Sequence, residues 1–133
     1  MTMLHSLLVK DYMTADPLSF SPDADVLHAI HRLLTHQLPG APVVNERDVL
    51  VGYLSEKDCL KVALSASYHG QLGGRVKEFM SPTVLAIDAD SSLIAAAEIF
   101  LAHPYRCLPV AVDGRLVGQL SRADILRALE TMR

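Results

Sequence analysis

Ser55-Glu56-Lys57-Asp58 and Ser121-Arg122-Ala123-Asp124 each set a hydroxyl and a carboxylate three residues apart, directly after an apolar run that contains a glycine. Each stretch reads as a strand that ends in Ser-x-x-Asp and turns into a helix. A helix start exposes unpaired N–H groups and so attracts anions. The same spacing is close to a capping box, in which serine and acid satisfy those N–H groups without any ligand. Both readings stay open on these residues alone.

The other chemistry-bearing residues carry less. Of the six histidines, His28 and His31 share a helix face at i,i+3, but no carboxylate or cysteine stands at a spacing that completes a metal site. They read as exposed helix residues. His36 and His103 fall near helix ends, where imidazole suits the dipole. Cys59 and Cys107 lack metal-type spacing and sit in apolar stretches, so they read as reduced, buried cysteines of a cytoplasmic protein. There is no Gly-x-Ser-x-Gly elbow and no phosphate-binding glycine-rich loop, so no enzyme is expected.

The elements that must position the two Ser-x-x-Asp stretches are themselves duplicated. Val9-Lys10-Asp11-Tyr12-Met13-Thr14 returns 67 residues later as Val76-Lys77-Glu78-Phe79-Met80-Ser81, and Pro42-Val43 returns as Pro109-Val110. Leu50-Val51-Gly52 returns 66 residues later as Leu116-Val117-Gly118. Such repetition marks one structural unit used twice. Residues 1–66 are expected to hold the first repeat with a helical lead-in, 67–75 a glycine-rich linker, and 76–133 the second repeat.

Within each repeat a short strand, Leu18-Ser19-Phe20 or Leu85-Ala86-Ile87, precedes a helix. The apolar residues of that helix recur at i, i+1, i+4, i+7 and i+8. They are Val26, Leu27, Ile30, Leu33 and Leu34 in the first copy, and Leu93, Ile94, Ala97, Phe100 and Leu101 in the second. Two short apolar strands follow, joined by loops short enough for antiparallel hairpins. A final helix runs from Asp58 to about Ser65, and from Asp124 to Thr131. The fold class is therefore α+β, with two β-α-β-β-α repeats.

At 133 residues the chain is long enough to bury a real core, and 50% of it is hydrophobic. Its net charge of −3 argues against bulk attraction to nucleic acid or to an anionic membrane. No apolar run approaches the roughly 20 residues of a membrane span, and no secretory signal is present.

On the repeated Val-Lys-x-x-Met starts, the Gly40-Ala41-Pro42-Val43-Val44 and Cys107-Leu108-Pro109-Val110 strands, and Leu-Val-Gly-x-Leu-Ser-x-x-Asp in both copies, the sequence resembles a tandem pair of CBS domains over about residues 9–130. The resemblance implies two repeats packed about a pseudo-two-fold axis, with clefts that bind AMP, ADP, ATP, S-adenosylmethionine or a related adenosyl ligand. It also implies dimerisation through the helices and regulation of another domain or protein. No cofactor is required, no metal site is expected, and the regulated partner is unidentified.

Carried over residue by residue, the resemblance assigns Asp58 and Asp124 to ribose hydroxyls; a carboxylate accepts both bonds of a cis-diol. Ser55 and Ser121 would face phosphate at the helix start. Lys57 and Arg122 would add cations, Arg122 with a bidentate fork. Leu38 and Gly40 in the first copy, and Tyr105, Arg106 and Cys107 in the second, match the adenine-facing edge. Gly40 would permit close approach there. Thr14 and Leu18, with their counterparts Ser81 and Leu85, match another wall of the cleft.

Overall fold

The computed structural model describes residues 3–132. A short helix α1 (Met3–Ser6) leads in, and the remaining helices are α2 (Val26–Thr35), α3 (Glu56–His69), α4 (Leu93–Ala102) and α5 (Arg122–Glu130). The strands are β1 (Thr14–Ala15), β2 (Gly40–Val44), β3 (Leu50–Ser55), β4 (Ile87–Asp88), β5 (Cys107–Val112) and β6 (Arg115–Ser121). The mixed α+β reading holds.

Local chemistry explains where the helices begin and end. The Asp25 carboxylate accepts from the Leu27 N–H at 3.3 Å and starts α2, while Ser92 Oγ accepts from the Ala95 N–H at 3.1 Å and starts α4. Helix α3 runs past Ser65, so the expected linker is helical through His69. It stops at Gly70, whose φ of 71° is open to glycine without strain.

Two compact units result, one of residues 1–17 with 85–133, the other of residues 18–84. These units do not follow the boundaries of the sequence repeats. In the 1–17/85–133 unit the strand order is β1-β6-β5-β4, with Thr14 opposite Gln119. Strand β1 comes from the first repeat, and the other three strands come from the second. The 18–84 unit mirrors this arrangement in reduced form. Strands β2 and β3 pair antiparallel, Phe20 makes a single parallel bridge to Val43, and Ser81 a single antiparallel bridge to Tyr53. The expected first strand, Leu18–Phe20, is thus only one bridge long.

Burial of the lead-ins explains the exchange. Val9 is fully buried among Leu93, Leu108, Val110 and Leu120, and Val76 is fully buried among Val26, Val43 and Leu54. Each lead-in also crosses a glycine of the repeated Leu-Val-Gly run. A Cβ on Gly118 would stand 2.9 Å from the Thr14 carbonyl oxygen and crowd Met13. One on Gly52 would stand 2.9 Å from the Ser81 carbonyl oxygen and crowd Met80. The methionine of one repeated motif therefore sits over the glycine of the other.

The helix faces are narrower than the periodicity implied. Val26, Ala29 and Leu33 are buried on α2, and Leu93, Ala96 and Phe100 on α4, an i, i+3, i+7 stripe. Leu34 is 70% exposed and Leu101 is 89% exposed. One residue beyond Leu33 or Phe100 turns the side chain about 100° around the helix, away from the sheet. Leu126 and Leu129 on α5 are likewise exposed, while Ile125 and Ala128 are buried. Among the described residues no helix is long and apolar enough to cross a membrane.

Candidate functional site

Strand β3 delivers Ser55 to the start of α3, and β6 delivers Ser121 to the start of α5. In both units the serine and aspartate form a reciprocal capping box. The Asp58 N–H donates to Ser55 Oγ at 3.0 Å, and the Ser55 N–H donates to Asp58 Oδ2 at 3.0 Å. In the other unit the Asp124 N–H donates to Ser121 Oγ at 3.2 Å, and the Ser121 N–H donates to Asp124 Oδ2 at 2.7 Å. The box satisfies helix-start donors that would otherwise stay unpaired.

Each aspartate has a second oxygen, and a cation one turn on holds it. Lys61 Nζ donates to Asp58 Oδ1 at 3.0 Å, and Arg127 Nη2 donates to Asp124 Oδ1. The carboxylates are nearly buried, at 9% and 7% exposure, whereas the Lys61 and Arg127 side chains are more than half exposed. The Ser-x-x-Asp motif points to Lys57 and Arg122 rather than to these two. The signal was present, because Lys61 and Arg127 recur at the same 66-residue spacing as the aspartates.

The hairpins bring the adenine-edge candidates to the serines as cross-strand partners: Gly40 stands opposite Ser55, and Cys107 opposite Ser121. The close approach expected at Gly40 is made by β3 itself. A Cβ there would lie 2.6 Å from Tyr53 Cε2 and 2.8 Å from the Leu54 carbonyl oxygen. Leu38 and Leu18 are half-buried against the core of the 18–84 unit, and Leu85 against that of its counterpart. The Tyr105 ring stacks on His103 with centroids 5.5 Å apart, and Arg106 is exposed beside it.

Thr14 and Ser81 are regrouped. Thr14 lies beside β6, the strand that ends at Ser121, and Ser81 lies beside β3, the strand that ends at Ser55. Each therefore stands with the Ser-x-x-Asp stretch of the opposite repeat. The Arg122 guanidinium carbon lies 5.9 Å from the Phe100 ring centroid, at the edge of a groove between α4 and α5. Lys57 is exposed on the first turn of α3.

Burial pushes the Cys59 thiol up, and the neighbouring Asp58 and Glu56 charges push it further. It stays a thiol at neutral pH and is a poor nucleophile. Among the described residues no group of three or more His, Cys, Asp or Glu side chains could hold a metal ion. The arrangement offers, twice, a nearly buried carboxylate whose second oxygen is held by an exposed cation, beside the end of a strand.

The family model described as CBS domain matches residues 9–65 and 76–131. The CBS domain-containing protein YhcV of Bacillus subtilis is 31% identical over 118 residues, which is 88% of this chain and 81% of YhcV. The crystal structure of CBSX2 in complex with AMP is 30% identical, covers 96% of this chain and 99% of that one, and superposes with a TM-score of 0.82; CBSX2 is from Arabidopsis thaliana. The CBS domain pair of protein MJ0100, in complex with 5′-methylthioadenosine and S-adenosyl-L-methionine, is 25% identical with a TM-score of 0.75, covering 92% of this chain and 98% of that one. Other curated relatives are longer. The chain spans 42% of an uncharacterised protein of Methanocaldococcus jannaschii and 14% of the A-adding tRNA nucleotidyltransferase of Aquifex aeolicus.

Proposed function

The chain belongs to the CBS domain family, carrying the domain twice, and from that membership we propose that it is a regulatory module that binds an adenine nucleotide or related adenosyl ligand. The observation that carries this reading is the doubled carboxylate. Asp58 and Asp124 are almost buried, each with one oxygen fixed in the cap and the other held by an exposed cation. A ribose diol can replace that cation without dismantling the helix start. The CBSX2 complex with AMP, at 30% identity over nearly the whole chain, supports an adenosine-type ligand.

The adjoining groups fit the same reading. Ser55 and Ser121 stand where helix-start N–H groups favour phosphate. The strand edges at Gly40 and Cys107 can read a base through backbone groups. Binding changes the protein only as far as the ligand prefers one arrangement of it. The exposed leucines of the helices are assigned to a homodimer, and the output to a regulated protein. The nucleotide is not turned over.

The completed capping boxes favour a second reading, a ligand-independent interaction module. Serine and aspartate already satisfy each other, and among the described residues no buried side-chain polar atom lacks a partner. Thermal unfolding against AMP, ADP, ATP, S-adenosylmethionine and NAD, with guanosine nucleotides as controls, separates the two. A ligand at 100 times its dissociation constant adds about 2.7 kcal/mol. A selective adenosyl shift, weakened by about tenfold or more in affinity in Asp124→Ala or Asp58→Ala, supports the sensor. Absence of any shift at millimolar ligand sinks it in favour of the interaction module.

A further inference from the structure

We propose that Lys61 and Arg127 set the affinities of the two adenosyl sites by competing with the ligand, each holding on its own aspartate the oxygen that a ribose diol would take. This rests on the adenosyl reading above and adds how firmly each site is guarded. Ser55, Asp58 and Lys61 all belong to the 18–84 unit, and Ser121, Asp124 and Arg127 to the 1–17/85–133 unit. Each site therefore carries its own cation, and the two cations are of different kinds.

The acceptor positions lead there. In each capping box Oδ2 of the aspartate accepts from a serine N–H, at 3.0 Å for Asp58 and 2.7 Å for Asp124. Oδ1 accepts from the cation one turn on. A cis-diol donates two hydrogen bonds, and a carboxylate covered this closely receives both only when the cation on Oδ1 withdraws. The cations are free to do so. Both side chains are more than half exposed, so a released head enters water rather than an apolar interior. The aspartates are not, because the reciprocal bonds with Ser55 and Ser121 fix them to the helix starts.

A lysine ammonium is a compact, strongly hydrated point charge, whereas an arginine guanidinium is planar, more weakly hydrated and shaped to a carboxylate. Water therefore competes better for Lys61 than for Arg127, and Asp58 is the more readily freed of the two aspartates. Other contacts being equal, the 18–84 site fills at the lower ligand concentration, and one chain responds at two thresholds. Direct contact of the same cations with a ligand phosphate would act with the opposite sign. A guanidinium grips phosphate through two parallel bonds, so arginine would then tighten binding relative to lysine.

Titration of the full chain with AMP, followed by amide NMR, tests the competition. The Ser55 and Ser121 N–H groups donate to the two aspartates and so report on each site separately. Lys61→Arg and Arg127→Lys preserve net charge, and a dispersed amide spectrum establishes that each variant is folded. Lys61→Arg is expected to weaken AMP about threefold at the Ser55 reporter, and Arg127→Lys to tighten it about threefold at Ser121, the scale of a solvent-screened ion pair. Each is expected to leave the other reporter unchanged, and also the affinity for dideoxy-AMP, which lacks both ribose hydroxyls and has no diol to compete. Effects of the opposite sign overturn the proposal in favour of phosphate contact. Equal effects on AMP and its dideoxy analogue overturn it in favour of a purely structural role. Affinities that ignore both substitutions overturn it while leaving the adenosyl reading in place. A wild-type protein in which neither amide responds to millimolar AMP, ADP, ATP or S-adenosylmethionine removes that reading, and this proposal with it.

Discussion

At each helix start one residue pair serves two purposes. Ser121 and Asp124 close α5 and present a carboxylate oxygen to an exposed cation, and Ser55 and Asp58 do the same for α3. The two contributions are separable by substitution. Ser121→Ala is expected to cost about 1 kcal/mol in chemical denaturation, the value of a lost N-cap, and to leave Asp124 able to accept from ribose. Arg127→Ala is expected to shift stability by less than about 1 kcal/mol, since its side chain is 67% exposed and solvent screens the pair. A much larger loss would make Arg127 a structural lock rather than an exchangeable partner. Cys59 gives a pH test. Because burial and two carboxylates raise its pKa, the thiolate appears only at higher pH than for a free cysteine. Alkylation followed by mass spectrometry should therefore show Cys59 slow at neutral pH and accelerating as pH rises. Reaction at the rate of a free thiol near pH 7 would contradict the burial described.

At the scale of elements, adjacent leucines with the same apolar character have opposite fates. Leu33→Ala removes a buried side chain from the core that also holds Phe20, Val43 and Val62 and is expected to cost about 2–5 kcal/mol. Leu34→Ala, one position on, is expected to fall within about 0.5 kcal/mol when measured on the monomer. The glycines of the Leu-Val-Gly runs are set by strand packing. Gly118→Ala forces a methyl against the Thr14 carbonyl oxygen and Met13, and should destabilise by about 1–3 kcal/mol in urea unfolding. If Gly118→Ala proves neutral, β1 does not lie as close to β6 as described. The hairpins, helix starts and repeat offsets were legible because turns, caps and periodicity are written in neighbouring residues. The division of each apolar stripe into buried and exposed halves was not, because hydrophobicity states that a leucine prefers cover without stating what covers it.

For the whole molecule, the informative cut is not the one between sequence repeats. Residues 9–75 and 18–84 are fragments of equal length, but only the second contains Val76 and Phe79, both buried in the core that also holds Val26 and Leu54. Fragment 18–84 is expected to unfold cooperatively by circular dichroism, and fragment 9–75 to lack a cooperative transition. Equal behaviour of the two would show that the lead-in contributes little. Thr14 and Ser81 follow from the same exchange: each lies beside a strand of the opposite repeat.

The sequence by itself determined the duplication, the α+β class, the antiparallel hairpins and the two Ser-x-x-Asp helix starts, because each is encoded by residues a few positions apart or by recurrence at a fixed spacing. Only the tertiary structure decided that Val9 and Val76 are buried in the opposite repeat, that Lys61 and Arg127 hold the carboxylates, that Arg122 turns to Phe100, and that Leu34 and Leu101 stay outside. Those outcomes depend on which surfaces meet. Two repeats built on the same motif order offer a lead-in two similar docking strands, Leu50–Ser55 and Arg115–Ser121, and local sequence does not distinguish them.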